Sequence, residues 1–216
     1  MFPDPRDTED DGLLAIGGKL TVPALQDAYS QGVFPWPLST GEAKRPMVLA
    51  WFCPPERGVL DFSELRISDS LARALKKKTF EFTVNQDFPR VIDACAEQRR
   101  ESGTWITDSM SKTYIQLHRQ GLAHSVEAWL AGELVGGIYG VCIAGYFAGE
   151  SMFYKKPNAS KLALLHLIEC LKGRGFEWMD IQMLTPHMEK MGAKLVQRDE
   201  FLLRLARAAS RGLTFS

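Results

Sequence analysis

The chain has 216 residues, of which 45% are hydrophobic and 24% are charged. This length fits one large domain or one domain with a small companion, and the composition excludes a wholly disordered chain. Lysine and arginine together number 26, as do aspartate and glutamate. Because the charges balance, no global positive field indicates a polyanionic partner, and a nucleic-acid surface would have to be a local patch.

The amino terminus and the cysteines indicate the cellular compartment. Residues 1–11 carry five acids, the opposite of a signal or transit peptide, and no apolar run is long enough to span a membrane. We therefore expect a cytoplasmic protein without membrane contact. The four cysteines are far apart and include no C-x-x-C pair, which predicts free thiols and no structural metal. No cofactor is expected, and we expect a monomer.

The N-terminal segment differs in composition from the rest of the chain. Eight of the eleven prolines lie before residue 56, which predicts that residues 1–60 are mostly loop. One helix is predicted over residues 22–31, with Thr21 as its N-cap and Gly32 just past its end. We predict a small mixed N-terminal domain over residues 1–61 and a larger second domain over residues 62–216.

Regular periodicity begins after residue 62. It predicts three consecutive strands at residues 124–130, 133–143 and 146–153 as an antiparallel meander, and a buried, nearly all-round apolar helix at 159–173. Before the meander we predict a helix at 68–78, a strand at 80–84 and helices at 88–100 and 108–120. After residue 173 we predict a strand at 177–182, a short helix opened by Thr185, a strand at 193–197 and a final helix from Asp199.

This order of elements resembles the acyltransferase fold known as GNAT, an α+β class with a mostly antiparallel sheet flanked by helices. In that fold two central strands splay to admit an acyl donor and an amine, and the likeness is one of fold only. GNAT members usually hold coenzyme A through a glycine-rich turn before the central helix. The corresponding turn here, Tyr154 to Ala159, contains no glycine. We therefore expect an acyl donor other than coenzyme A.

Glu150 is a carboxylate in apolar surroundings, within Gly149-Glu150-Ser151-Met152-Phe153. A buried carboxylate without a partner is costly, so a partner is required. Strand alternation predicts Glu150 and Met152 on one face and Ser151 on the other. A site residue and an edge-strand acid paired with a surface lysine are equally good interpretations.

Asp180 and Gln182 are two residues apart on a predicted strand, so their side chains should project together. An acceptor and an amide placed side by side can hold an amine. The alternative, which is commoner among proteins, is a strand end that faces water.

Two tryptophans, Trp36 and Trp105, lie outside the periodic core positions and are candidates to stack on a nucleobase. The competing interpretation of Trp36 is a plug between domains. Six lysines are candidates to follow phosphates, or else are simply solvated: Lys76, Lys77, Lys78, Lys155, Lys156 and Lys161. The neighbours His124 and Ser125 point to opposite strand faces and are rejected as a base and nucleophile, and His187 is given no role.

An ordered set of motifs resembles the leucyl/phenylalanyl-tRNA–protein transferase family over nearly the whole chain. The motifs are Asp11-Gly12-Leu13-Leu14-Ala15, Gly17-Gly18, Gly32-Val33-Phe34-Pro35-Trp36, Gly103-Thr104-Trp105-Ile106-Thr107, Ala123-His124-Ser125-Val126-Glu127, Leu134-Val135-Gly136-Gly137, Gly149-Glu150-Ser151-Met152-Phe153, Ala159-Ser160-Lys161, Asp180-Ile181-Gln182 and Met191-Gly192-Ala193. The resemblance implies transfer of Leu, Phe or Met from aminoacyl-tRNA to the α-amino group of proteins beginning with Lys or Arg, which marks them for bacterial N-end-rule degradation.

The resemblance also implies roles by position. It assigns Asp180 and Gln182 to the reacting amine, Glu150 to the site wall, and Trp36 and Trp105 to the terminal adenosine of the tRNA. The acyl-pocket positions are Ile138, Met152, Leu167, Leu171 and Met179. The chain departs from the family pattern where members often carry Phe at 167 and 171, at residues 50–57 and at Arg66. It also lacks the usual leader and ends early, which we interpret as a compact member.

The hypothesis for the chemistry is aminolysis of the aminoacyl ester. Asp180 orients Gln182, the Gln182 carbonyl holds the amine, and a backbone N–H near Gly149 and Glu150 supports the oxyanion. No cysteine or serine has a convincing base, so no acyl-enzyme is predicted. The alternatives are a coenzyme A-dependent N-acetyltransferase and a non-catalytic tRNA- or degron-binding module.

Overall fold

A computed structural model describes residues 2–8, 11–42, 45–98 and 106–215 of the chain. The predicted first helix is confirmed as α1 (Val22–Ser30), and the Thr21 hydroxyl accepts the Ala24 N–H at 3.3 Å as its cap. No helix within these ranges is both long and apolar enough to cross a membrane. Cys53 and Cys142 are buried free thiols, Cys95 is buried, and the free thiol of Cys170 is partly buried.

The prediction that residues 1–60 are mostly loop is wrong. The segment forms the strands β1 (Leu13–Ile16), β2 (Phe34–Pro35), β3 (Leu38–Glu42), β4 (Arg45–Val48), β5 (Ala50–Phe52) and β6 (Glu56–Asp61). These strands are short, and Pro35, Pro37, Pro54 and Pro55 lie at or beyond their ends, where a missing N–H interrupts no ladder. Strands β1, β5 and β2 form one small sheet, and β3 pairs with β4.

The elements predicted after residue 62 are all present, with bounds shifted by a few residues at most. They are α2 (Asp69–Lys76), β7 (Glu81–Val84), α3 (Phe88–Gln98), α4 (Asp108–Arg119), β8 (Ala123–Leu130), β9 (Glu133–Ile143), β10 (Tyr146–Tyr154), α5 (Ala159–Gly173), β11 (Trp178–Gln182), α6 (Pro186–Lys190), β12 (Lys194–Gln197) and α7 (Arg198–Arg211). The capping side chains Ser68, Thr107 and Thr185 each accept a backbone N–H of the first turn that follows.

One seven-stranded sheet, in the order β12-β6-β11-β10-β9-β8-β7, organises the chain. Strand β6 lies between β12 and β11, so residues 56–61, at the end of the predicted N-terminal domain, pair with strands from the C-terminal half. Every neighbouring pair is antiparallel except β10 and β11, which are parallel and connected through α5. The α+β class with a mostly antiparallel, GNAT-like sheet is therefore confirmed.

Helices cover both faces of this sheet. Residues of α1, α3, α4 and α7 pack in one apolar cluster, and residues of α2, α5 and α6 pack in a second. The predicted burial of α5 is confirmed, because Leu164, Ile168 and Leu171 have no exposed surface. The glycines of β9 allow this close packing, since a Cβ on Gly136 would lie 2.5 Å from the Ala159 Cβ.

Candidate active site

The candidate site lies where β10 and β11 separate. Their parallel register pairs Ala148 with Asp180, and beyond this point the two strands are bridged by side chains. Each strand is irregular there, with a register shift between Gly149 and Ser151 in β10 and another between Asp180 and Gln182 in β11. Such bulges bend a strand and redirect side chains, and they are frequent next to active sites.

Asp180 has no exposed surface and forms a two-pronged ion pair with a buried arginine. Arg57 Nε donates to Asp180 Oδ1 at 2.8 Å, and Arg57 Nη2 donates to Oδ2 at 2.7 Å. Burial alone would lower the pKa of Arg57, but the adjacent carboxylate raises it above the usual value, so the guanidinium is charged. The alternative interpretation, in which Asp180 and Gln182 face water, is wrong.

Asp180 acts on Gln182 through the backbone rather than through the Gln182 side chain. Asp180 Oδ1 accepts the Gln182 backbone N–H at 2.9 Å, and Gln182 has a left-handed φ of 54°. The side-chain amide points across the gap, where Nε2 donates to Glu150 Oε1 at 3.0 Å. Because the amide nitrogen faces the carboxylate, the amide oxygen is the atom turned away from Glu150 and can accept an N–H from an amine.

Glu150 has the partners that a carboxylate in apolar surroundings requires, and they are neutral groups. Besides Gln182, Tyr29 donates to Oε1 at 2.7 Å, and the Tyr114 hydroxyl lies 3.4 Å from Oε2. Burial raises the Glu150 pKa to about 7, and the hydrogen bond from Tyr29 opposes that rise. Because β10 is an interior strand, the alternative of an edge-strand acid paired with a surface lysine is wrong.

The tyrosine hydroxyls form a chain behind Glu150. The Tyr29 and Tyr114 oxygens are 2.7 Å apart, and Tyr146 donates to the Tyr29 carbonyl at 3.0 Å. Each hydroxyl has one proton, so when Tyr29 donates to Glu150 the short contact requires Tyr114 to donate to Tyr29. Burial and the neighbouring Glu150 raise the pKa of both Tyr29 and Tyr114, which keeps these phenols protonated.

The prediction that Glu150 and Met152 lie on the same face of the strand is wrong. Glu150 contacts tyrosines of α1 and α4, whereas Met152 packs against the cluster that contains α5. The register shift after Gly149 interrupts the simple alternation on which the prediction was based.

The five residues predicted for the acyl pocket are all associated with the same apolar cluster. Ile138, Leu167, Leu171 and Met179 belong to one buried cluster, and Met152 packs against it from a partly buried position. Their common cluster adjoins the split, because Met179 directly precedes Asp180 on β11.

Of the two tryptophans predicted to stack on a nucleobase, Trp36 lies within the described residues. Trp36 follows β2, is partly buried, packs against the other apolar cluster, and donates its backbone N–H to the Ala50 carbonyl at 2.8 Å. Trp105 lies outside the described residues.

The predicted lysines lie on two segments, the end of α2 and the stretch from the turn before α5 into its first turn. Lys77, at the end of α2, lines a cavity of about 330 Å³ together with Pro157 and Asn158 of the turn before α5. Lys76, Lys78, Lys155 and Lys156 are exposed, and Lys161 is partly buried in the first turn of α5. The end of α2 and the turn before α5, which are distant in sequence, therefore border the same cavity, and Lys77 is the predicted lysine that lines it.

The two histidines considered in the sequence have different surroundings. Ser125 donates to Glu127, whereas His124 Nδ1 contacts the Asn85 amide at 3.0 Å, so the two neighbours have separate partners. Burial lowers the His124 pKa to about 4. Burial and then Lys161 and Lys190 lower the His187 pKa.

Arg57, Tyr29 and Tyr114 were missed by sequence reasoning. A signal for Arg57 exists, because it precedes the apolar run Gly58-Val59-Leu60 on a strand, and a buried arginine requires an acid. Tyr29 continues the apolar helical spacing of Val22, Leu25 and Ala28, which indicates burial but not the partner of its hydroxyl.

The split in this α+β sheet brings an amide and a carboxylate together across the gap, an arrangement that can hold an amine. A model of the leucyl/phenylalanyl-tRNA protein transferase family matches residues 59–206, and a model of that family's N-terminal domain matches residues 18–55. The chain therefore belongs to the leucyl/phenylalanyl-tRNA protein transferase family, which is a family of aminoacyltransferases.

Relatives that carry the name of this family align with the chain over most of their length. The leucyl/phenylalanyl-tRNA–protein transferase of Anaeromyxobacter dehalogenans is 46% identical over 209 residues, which are 96% of this chain and 87% of that protein. The one from Syntrophobacter fumaroxidans is 47% identical over 208 residues, 95% of this chain and 86% of that protein.

Similar solved structures are more distant. An aminoglycoside acetyltransferase from an uncultured soil metagenomic sample has 14% identity and a TM-score of 0.39, with 62% of this chain and 88% of that chain covered. L-PGS from Bacillus licheniformis has 15% identity and a TM-score of 0.42, with 80% of this chain and 54% of that chain covered. Likenesses of this size carry no functional conclusion.

Proposed function

We propose that this protein transfers Leu, Phe or Met from aminoacyl-tRNA to the α-amino group of proteins that begin with Lys or Arg, as a cytoplasmic monomer. The product would carry a bacterial N-end-rule degradation signal. The observation that supports this most directly is the Gln182–Glu150 hydrogen bond across the split between β10 and β11. It orients the Gln182 amide oxygen as an acceptor for an incoming amine.

The reaction is aminolysis of an ester. The amine nitrogen forms a bond to the ester carbonyl carbon, the bond from that carbon to the ribose oxygen breaks, and the amine loses a proton while the ribose oxygen gains one. An α-amino group has a pKa of about 7.7–8.0 and is partly neutral in the cytoplasm, so no strong base is needed. In the proposal Gln182 holds the amine, Glu150 orients Gln182, and a backbone N–H near Gly149 and Glu150 supports the oxyanion.

The donor side of the proposal uses the apolar cluster and the predicted lysines. The side chain of the amino acid would lie among Ile138, Met152, Leu167, Leu171 and Met179, and the terminal adenosine would stack on Trp36 and Trp105. The tRNA phosphates would meet the lysines of α2 and of the turn before α5. A local basic surface is what a chain with equal numbers of acidic and basic residues requires for tRNA binding.

One assay separates this function from the two alternatives. The protein is incubated with labelled Phe-tRNA, differently labelled acetyl-coenzyme A and a peptide that begins with Arg, and the peptide is then recovered. The proposal expects the phenylalanyl label on the peptide, and none on the same peptide with an acetylated amino terminus. Transfer of the acetyl label would indicate an N-acetyltransferase, and tRNA binding without any transfer would indicate a binding module.

Calorimetry provides a second test, which does not depend on turnover. Because the turn from Tyr154 to Ala159 contains no glycine, coenzyme A should not bind. Saturable binding of coenzyme A at micromolar concentration would contradict this part of the proposal.

A further inference from the structure

Arg57 is a completely buried guanidinium for which the proposed chemistry gives no role. Its exposure is 1%, and its Nη1 donates to the Gly32 carbonyl at 3.0 Å in addition to the two hydrogen bonds to Asp180. The guanidinium carbon lies 4.6 Å from the centre of the Phe34 ring and 4.4 Å from the centre of the Phe201 ring. Two rings and a carbonyl therefore fix the guanidinium, and the guanidinium fixes the Asp180 carboxylate.

The fixed carboxylate in turn determines the backbone at Gln182. Asp180 Oδ1 accepts the Gln182 N–H at 2.9 Å, directly after the register shift in β11. Gln182 adopts a left-handed φ of 54°, a conformation that is unfavourable for a residue with a Cβ and persists only where neighbours hold it. From this backbone position the Gln182 side chain reaches Glu150.

Arg57 also connects the site to the N-terminal segment. Gly32 begins the motif that ends at Trp36, and a Cβ at Gly32 would lie 2.7 Å from the Phe201 ring. The close approach of Gly32 brings its carbonyl to the guanidinium. One side chain thus joins the segment proposed to meet the donor adenosine with the strand proposed to hold the amine.

We infer that Arg57 is a positioning residue for aminoacyl transfer: through Asp180 it holds the left-handed backbone of Gln182 that aims the amide into the split. The inference rests on the proposed function. The inferred role of Arg57 is geometric and goes beyond neutralising the charge of Asp180, because only a guanidinium can make this two-pronged contact with a carboxylate. A lysine at position 57 would retain the charge and lose this geometry.

The test measures single-turnover transfer from Phe-tRNA to an Arg-peptide for wild type and Arg57→Lys. The amplitude reports the fraction of active protein, and the rate constant reports the chemical step. We expect the rate constant to fall at least about tenfold, because a small misplacement of a reacting group can cost up to about a hundredfold. The KM for Phe-tRNA should change less than about threefold, since the acyl pocket and the predicted lysines are untouched.

A matched control and a milder variant complete the test. Arg204→Lys alters another arginine that pairs with acids, Asp61 at 2.7 Å and Glu200 at 2.8 Å, and should leave the rate constant unchanged. Phe201→Leu removes one ring from the guanidinium without a change in charge, and should slow the step by a smaller factor than Arg57→Lys. If Arg57→Lys does not fold, Phe201→Leu decides alone.

The outcomes distinguish the inference from the proposed function. A rate constant for Arg57→Lys within twofold of wild type, with or without a reduced amplitude, would show a purely structural role and overturn the inference. An unchanged rate constant in Phe201→Leu would also count against it. If wild type itself transfers no Phe, the proposed function fails.

Discussion

Replacing Glu150 by Gln should change how the stability of the protein depends on pH. In the folded chain the Glu150 carboxyl has a pKa of about 7, against an ordinary value of 4.5, because burial disfavours its charged form. Between these two values the folded state keeps a proton that the unfolded state has released. The free energy of unfolding therefore decreases as pH rises through this window.

The size of the effect follows from the two pKa values. They differ by about 2.5 units, which corresponds to a loss of up to about 3 kcal/mol once the pH is above 7. In Glu150→Gln this contribution is absent, because the amide is neutral at every pH and its oxygen can still accept from Gln182 and Tyr29. The charged groups that influence the Glu150 pKa are Asp180, which raises it, and Arg57, which lowers it, and both remain in the variant.

The measurement is urea unfolding of wild type and Glu150→Gln at about pH 5 and about pH 8. We expect wild type to lose up to about 3 kcal/mol more than the variant between these conditions, since all other titrating groups are shared. Glu169→Gln is the control, because Glu169 is 68% exposed and pairs with Lys172 at the surface, and it should behave like wild type. Equal pH dependence in wild type and Glu150→Gln would refute the reasoning.

Three further predictions concern transfer and tRNA binding. Asp180→Asn and Gln182→Ala should each lower the single-turnover rate about as much as the double variant, because they act as a unit, and additive losses would contradict this. Both Asn and Ala at position 180 remove the negative charge that pairs with Arg57, but Asn keeps one oxygen that can accept from Arg57 and fills more of the space. Leu167→Ala should change the preference among Leu, Phe and Met donors by about 1–3 kcal/mol in single-turnover rates, whereas a uniform loss would make Leu167 an ordinary core residue. Replacing the lysines at 76–78 by Ala should flatten the salt dependence of tRNA binding, and an unchanged slope would assign them to a solvated surface.

Local sequence rules predicted the C-terminal half well because its signals are local. Ser68 and Thr107 cap helices at the expected residues, and β9 has the predicted bounds, since apolar periodicity and turn glycines both lie within each element. The prediction for the N-terminal segment failed for the opposite reason. Its short strands are stabilised by distant partners, as when β6 pairs with β11 and β12, and no local pattern encodes such pairing.

The candidate site was predictable only in its residue types. Strand spacing indicated Asp180 and Gln182, and the cost of burying a carboxylate indicated that Glu150 has partners. The identity of those partners depends on tertiary contacts, since Tyr29 and Arg57 lie 121 and 123 residues from Glu150 and Asp180, respectively. Alternation alone also could not reveal the register shift that separates Glu150 from Met152.

That register shift gives the proposed site two chemically different walls. Glu150 turns toward the hydroxyls of Tyr29 and Tyr114, while Met152 packs against the cluster that holds α5. A regular strand would place both side chains on one face and bring the carboxylate next to the apolar pocket, where its desolvation would have no hydroxyl to offset it. With the bulge, the polar groups lie on one side of the sheet and the apolar cluster on the other, so in the proposed function the former would meet the amine and the latter the amino acid of the donor. In the proposed function, the irregularity of β10 would thus allow one strand to serve both halves of the aminolysis reaction.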